Sequence, residues 1–189
     1  MKTKTFVWSV ILIFLVSWSN ISVSSAQTLK PQDILKQKYP NETIKLIKTA
    51  DINLDKKNES FIITEIGNFY LINAKGYVVL IDTGFSSDGG HDEVNIQIFS
   101  VTNKEKHIAI TASYLPSNTE MYVYRLQDGA LKQVLKVKGD VDVQIDKQGR
   151  VHQLWKKFKS EGGWNIAEGI FTWNTTISKY KGTGNYILQ

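Results

Sequence analysis

The sequence predicts an all-β protein: antiparallel propeller-blade-like repeats, or a related β-sheet array, behind a short N-terminal helix. Three observations carry this. From residue 44 onward the chain is a succession of short runs rich in Ile, Val, Thr, Tyr and Phe, with period-two alternation. The runs are separated by compact turns such as Asn73-Ala74-Lys75-Gly76, Gln127-Asp128-Gly129 and Asp146-Lys147-Gln148-Gly149, each with Gly where the chain must take a positive φ. No long helical periodicity follows residue 40.

The elements follow in order. Lys2 and Lys4 precede an apolar run, Phe6 to Val16, and small residues end in Ser24-Ser25-Ala26. That order is a secretory signal over residues 1–26, cut after Ala26. The apolar run is short of the roughly 20 residues a membrane span needs, and the alternative is an uncleaved anchor. The remaining 163 residues suit one domain with a real core. The net charge of +5 falls to +3 when Lys2 and Lys4 leave. That mild balance carries no nucleic-acid signature. The absence of cysteine excludes both disulfides and a lipoprotein anchor. These features place the protein in the secreted or extracellular-surface class and favour a bacterial exporter. The membrane is then reached only through an uncleaved leader. On that reading the Asn-x-Ser/Thr sites at Asn41, Asn58 and Asn174 carry no glycan.

Residues 27–48 form a lead-in, with Pro31 opening a short helix over Ile34, Leu35 and Lys38, and Pro40 closing it. Residues 49–189 form a single β domain with two or three degenerate repeats. Strands are expected near 44–49, 60–66, 68–74, 77–83, 94–101, 107–114, 120–126, 131–137, 141–145, 150–158, 166–173 and 177–181. Segments 61–84 and 108–139 share one form: strand, aromatic strand, Gly turn, apolar strand. Gly76 and Gly129 lie 53 residues apart. Segment 141–158 reads as a third, shortened version.

The chemistry-bearing stretch is ADINLDKKNES, residues 50–60. Asp51, Asn53, Asp55 and Glu59 alternate, so a tight loop turns their oxygens inward, and Lys57 offers its carbonyl. Calcium takes six to eight such hard oxygens. The competing reading is an Asx-type turn, in which the same side chains bond backbone N–H groups. An EF-hand is excluded, because its twelfth position falls on Ile62. Asp-x-Asn-x-Asp-x-x-x-Glu leading into a β run and a Gly-turned hairpin resembles an FG-GAP or VCBS-type repeat, over residues 48–139 as two units. The resemblance implies blade-like sheets and an inter-strand loop able to hold calcium. The family's loop usually has Gly after the third acid, where this chain has Lys56. In the second unit, IFSVTNKEKH (98–107) stands at the matching place with most acids gone.

Two other patterns compete. Val79-Leu80-Ile81-Asp82-Thr83-Gly84 resembles the aspartic-protease signature, and a single copy implies a dimer sharing Asp82 across its axis. The same hairpin resembles the opening of metallo-β-lactamase folds, but His91, His107 and His152 form no ligand cluster in sequence. No nucleophile elbow or phosphate loop is present. Finally, Trp155, Phe158, Trp164, Phe171, Trp173, Tyr180 and Tyr186 enrich the C-terminal part, with lysines interleaved at 153–160. These residues form either core or a surface for anionic wall polymers. The expected role is a non-catalytic binding or structural module, with a wall polymer or another extracellular protein as partner.

Overall fold

The computed structural model describes residues 29–86, 90, 92–114 and 116–185, so the expected leader lies outside the described residues. One helix, α1 (Pro31–Lys38), precedes β1 (Ile44–Ala50), β2 (Glu59–Thr64), β3 (Phe69–Ile72), β4 (Val78–Asp82), β5 (Glu93–Thr102) and β6 (Glu105–Ser113). Then come β7 (Thr119–Gln127), β8 (Ala130–Gly139), β9 (Asp142–Ile145), β10 (Val151–Phe158), β11 (Trp164–Asn174) and β12 (Lys179–Gly184). The protein is all-β, and each strand read from the sequence is present with ends displaced by a few residues. The strands form three four-stranded antiparallel sheets in the orders β1-β2-β3-β4, β5-β6-β7-β8 and β12-β11-β10-β9.

Residues 141–158 are not a shortened copy of the earlier hairpins. They are β9 and β10, the first two strands of a complete third sheet. The expected turn glycines do take positive φ: 81° at Gly76, 76° at Gly129 and 73° at Gly149.

Strand alternation decides how the sheets stack. On β2 and β3, Phe61, Ile63, Phe69 and Leu71 face one way, and Ile62, Tyr70 and Ile72 face the other. Both strands are buried on both faces, which is why they read as continuous apolar runs. The first set packs against Ile96, Ile108, Ile110 and Tyr124 of the second sheet. The opposite face of the second sheet, with Phe99, Ala109, Met121 and Val123, packs against Val143, Val151 and Phe171 of the third.

The two ends of this stack are closed differently. On the first sheet, α1 covers the outer face with Leu35 and Ile34. Pro31 starts the helix, Asp33 suits its first turn, and Lys36 and Lys38 suit its last. Lys38 Nζ then donates to the Val78 carbonyl at 2.7 Å, and the Tyr70 hydroxyl donates to Glu42 at 2.8 Å. On the third sheet, His152 stands between Glu168 (2.6 Å) and Asp146 (2.9 Å), and Arg150 pairs with Asp146 at 2.6 Å. Burial opposes charge on His152, but the two carboxylates outweigh it and hold its pKa above the ordinary value. Among the described residues, all three buried clusters lie between residues 34 and 180.

Gly149 shows how closely the second and third sheets approach. A Cβ there would collide with the Ser100 carbonyl oxygen of β5, whereas a Cβ at Gly129, of similar φ, meets nothing within 4 Å. Gly149→Ala is therefore expected to cost at least about 2 kcal/mol, and Gly129→Ala only the left-handed penalty of about 1 kcal/mol. Urea unfolding of the two variants checks this, and equal losses would contradict the close approach.

Candidate functional site

The connection from β1 to β2 is the acidic loop, residues 51–58. It is wound on its own side chains. Asp51 Oδ1 accepts from the Asp55 N–H at 3.1 Å and Oδ2 from the Lys56 N–H at 2.9 Å. Asn53 Oδ1 also accepts from Asp55 N–H (3.0 Å), and Asp55 Oδ1 accepts from Lys57 N–H (2.8 Å). The last two are Asx turns. They carry the chain through left-handed conformations at Leu54 (φ 63°) and Lys56 (φ 67°). Lys56 thus occupies, at a cost of roughly 1 kcal/mol, the conformation that glycine adopts freely.

Glu59 opens β2 and is only 3% exposed. Its Oε2 accepts from the Ile52 N–H at 3.2 Å. Burial raises its pKa above the ordinary value; the Ile52 amide acts against this, and the charges of Asp55 and Asp51 push it further up. Asn53, Asp55 and Glu59 line one cavity of about 300 Å³, with Leu71, Tyr77 and Leu126 among its walls. Ile52 plugs the loop into the first buried cluster, and Lys106 Nζ of β6 donates to the Asp51 carbonyl at 2.9 Å. Three of the predicted ligands, Asn53, Asp55 and Glu59, therefore share one cavity, while Asp51 in the same loop accepts from the Asp55 and Lys56 N–H groups. Lys57 follows them with its N–H turned to Asp55. Among the described residues no three acidic, His or Cys side chains already converge as a metal cage. Both Asp51 carboxylate oxygens, Asp55 Oδ1 and Glu59 Oε2 accept from N–H groups instead.

The other candidates have different surroundings. Asp82 Oδ2 accepts from the Tyr124 hydroxyl at 2.6 Å, and Oδ1 from the Thr83 N–H at 2.8 Å. That hydroxyl is buried, and burial together with Asp82 drives its pKa far above the ordinary tyrosine range. Asp82 thus joins the first sheet to the second. The aromatics divide: Phe171 and Trp173 are core, Tyr180 is half-buried, and Phe158 and Trp164 are exposed. Tyr186 and His91 lie outside the described residues.

Sequence reasoning missed a polar joint between the second and third sheets. Glu105 receives Arg125 Nε at 2.6 Å, Trp173 Nε1 at 2.9 Å and His107 Nε2 at 3.3 Å. His107 Nδ1 meets the Tyr180 hydroxyl at 2.9 Å. Burial disfavours charge on both groups. For Glu105 the bonds from Trp173 and His107 and the Arg125 charge prevail and lower its pKa; for His107 burial prevails over Glu105 and keeps it below the ordinary value. The available signal was Glu105-Lys106-His107, whose alternation puts Glu105 and His107 on one face.

The sequence matches no family model, and no curated protein matches it.

The raised pKa of Glu59 has a consequence for stability. At pH values above the ordinary glutamate value of 4.5, the unfolded chain has released a proton that the folded chain retains, so this group's contribution weakens as pH rises. Below the unfolded value that contribution is present in full. Glu59→Gln keeps an acceptor for Ile52 N–H. In calcium-free buffer it is expected to raise the Tm at pH 7, with the difference closing below about pH 4. A lower Tm in the variant at pH 7 would contradict this electrostatic account.

Proposed function

We propose that the protein is an exported, non-catalytic binding or structural module of FG-GAP/VCBS-like character, ordered at its first inter-strand loop by calcium. The observation that carries this is the placement of Asp55, Asn53 and buried Glu59 on one cavity beside Asp51. Asp55 and Asp51 press on Glu59 with their charge, and among the described residues its hydrogen-bond partners include no side-chain cation. Asp51, Asn53, Asp55 and Glu59 would hold the ion through side-chain oxygens and Lys57 through its carbonyl. Calcium would supply +2 and accept the irregular oxygen geometry of a loop. Lys56 and Lys57 are exposed, so their cations remain in solvent. The role fits an extracellular setting, where modules bind calcium with dissociation constants of roughly 0.1–1 mM. The partner on this reading is another extracellular protein or an anionic wall polymer.

Calorimetric titration of the chain from Gln27 onward tests the reading. A saturable site is expected, absent in Asp51→Ala. Calcium at 100 times the dissociation constant should add about 2.7 kcal/mol of stability, and so raise the Tm by roughly 5–10 °C. No heat and no shift up to about 10 mM calcium would reduce the loop to a polar turn.

A further inference from the structure

The third sheet is uneven in length. β9 pairs with β10 only from Val151 to Leu154, and β12 pairs with β11 only from Gly169 to Asn174. Residues 155–168 therefore continue beyond the sheet as a two-stranded ribbon, paired from Trp155↔Ala167 to Phe158↔Trp164. Its base is held: Ala167 is buried, Trp155 is half-buried, and the Lys156 N–H donates to Asp140 Oδ1 at 2.7 Å. Its tip is closed by the Lys159 to Gly163 turn.

The tip is apolar where it is most exposed. Phe158 is 72% exposed, Trp164 45% and Ile166 56%. The register puts all three on one face: Phe158 opposes Trp164, and Lys156 opposes Ile166. Lys156 Nζ lies 5.7 Å from the Trp164 ring centroid on that same face. Lys157, which opposes Asn165 on the other face, and Lys159 in the turn are also exposed, with Glu161 the one acidic residue of the tip.

We propose that this ribbon tip inserts into the surface of an anionic lipid bilayer. Three exposed apolar side chains on a projecting ribbon would bury area in the headgroup–acyl boundary, where Trp is favoured. Lys156 on that face, with Lys157 and Lys159 on the ribbon's other side and turn, complements lipid phosphates. A sugar-binding surface matches less well, since Ile166 offers no ring for stacking and the patch projects instead of forming a cleft. The tip also stands apart from the acidic loop. β11 runs from Trp164 at the tip to Asn174, and the next residue, Thr175, lines a cavity with Ile52 and Asn53. Eleven strand residues span about 35 Å. The inference is thus independent of calcium at the loop.

Flotation with vesicles tests it, using the chain from residue 27 so that the apolar leader takes no part. Binding is expected to 1:1 phosphatidylglycerol–phosphatidylcholine vesicles and much less to phosphatidylcholine alone. The triple variant Phe158→Ser, Trp164→Ser, Ile166→Ser should lose at least tenfold in partitioning with an unchanged melting curve. Each Lys→Gln change at 156, 157 or 159 should lose about fivefold at low salt, and 0.5 M salt should weaken the native chain. No binding to anionic vesicles, or equal binding by the triple variant, overturns the proposal. Binding to purified anionic wall polymer but not to vesicles overturns it in favour of a polymer site. A dimer that the triple variant abolishes, without vesicle binding, overturns it in favour of self-association.

Discussion

Double-sided burial is the constraint on which this architecture depends. A sheet with apolar residues on alternate positions of both faces must be covered twice, or it leaves a strand surface open to water. The first sheet meets this with the second sheet on one side and α1 on the other. The second lies between its neighbours. The third ends the stack, and its outer face changes character: Asp146, Arg150, His152 and Glu168 tie their charges together there. Each joint also carries at least one directional bond within apolar packing. Tyr124 to Asp82 links the first two sheets, and Glu105, Trp173, His107 and Tyr180 link the second and third.

Stacking leaves chemistry to the two ends of the strands. The β1–β2, β5–β6 and β9–β10 connections each join the first two strands of a sheet, and they differ. The first is an eight-residue acidic loop. The second is a tight turn, just beyond which Lys106 of β6 reaches back to the Asp51 carbonyl. The third keeps one acid, Asp146, whose carboxylate is filled by the Gln148 and Arg150 N–H groups, by the Arg150 side chain and by His152. With Glu59 at its end, the first sets three carboxylates against Lys56 and Lys57. The opposite ends of the strands carry the projecting ribbon with its lysines and rings.

Strand positions were legible because alternation and turn glycines are local signals. Gly76, Gly129 and Gly149 marked reversals that the structure keeps. The acidic loop was legible for the same reason, since its residues are close in sequence. What escaped was long-range. Nothing near Glu105 announces Trp173, 68 residues away. The fate of the aromatics depended on where β9 and β12 stop pairing, so Phe171 and Trp173 became core while Phe158 and Trp164, on the same two strands, did not. Glu59 looked like an outer ligand in a polar stretch. Its burial follows from being the first residue of a strand covered on both faces. Segment 141–158 reads as a shortened hairpin because nothing local shows that the strands expected at 166–173 and 177–181 pair onto it; β12 is almost wholly exposed.

The most direct test of the central claim is residue-resolved: amide NMR spectra of the chain from Gln27, recorded as calcium is added. The account predicts saturable shifts concentrated at Asp51 to Glu59, with the Lys106 region following through its bond to Asp51 and residues 156–166 unmoved. Shifts scattered over exposed carboxylates without saturation, or none at the loop, would contradict it.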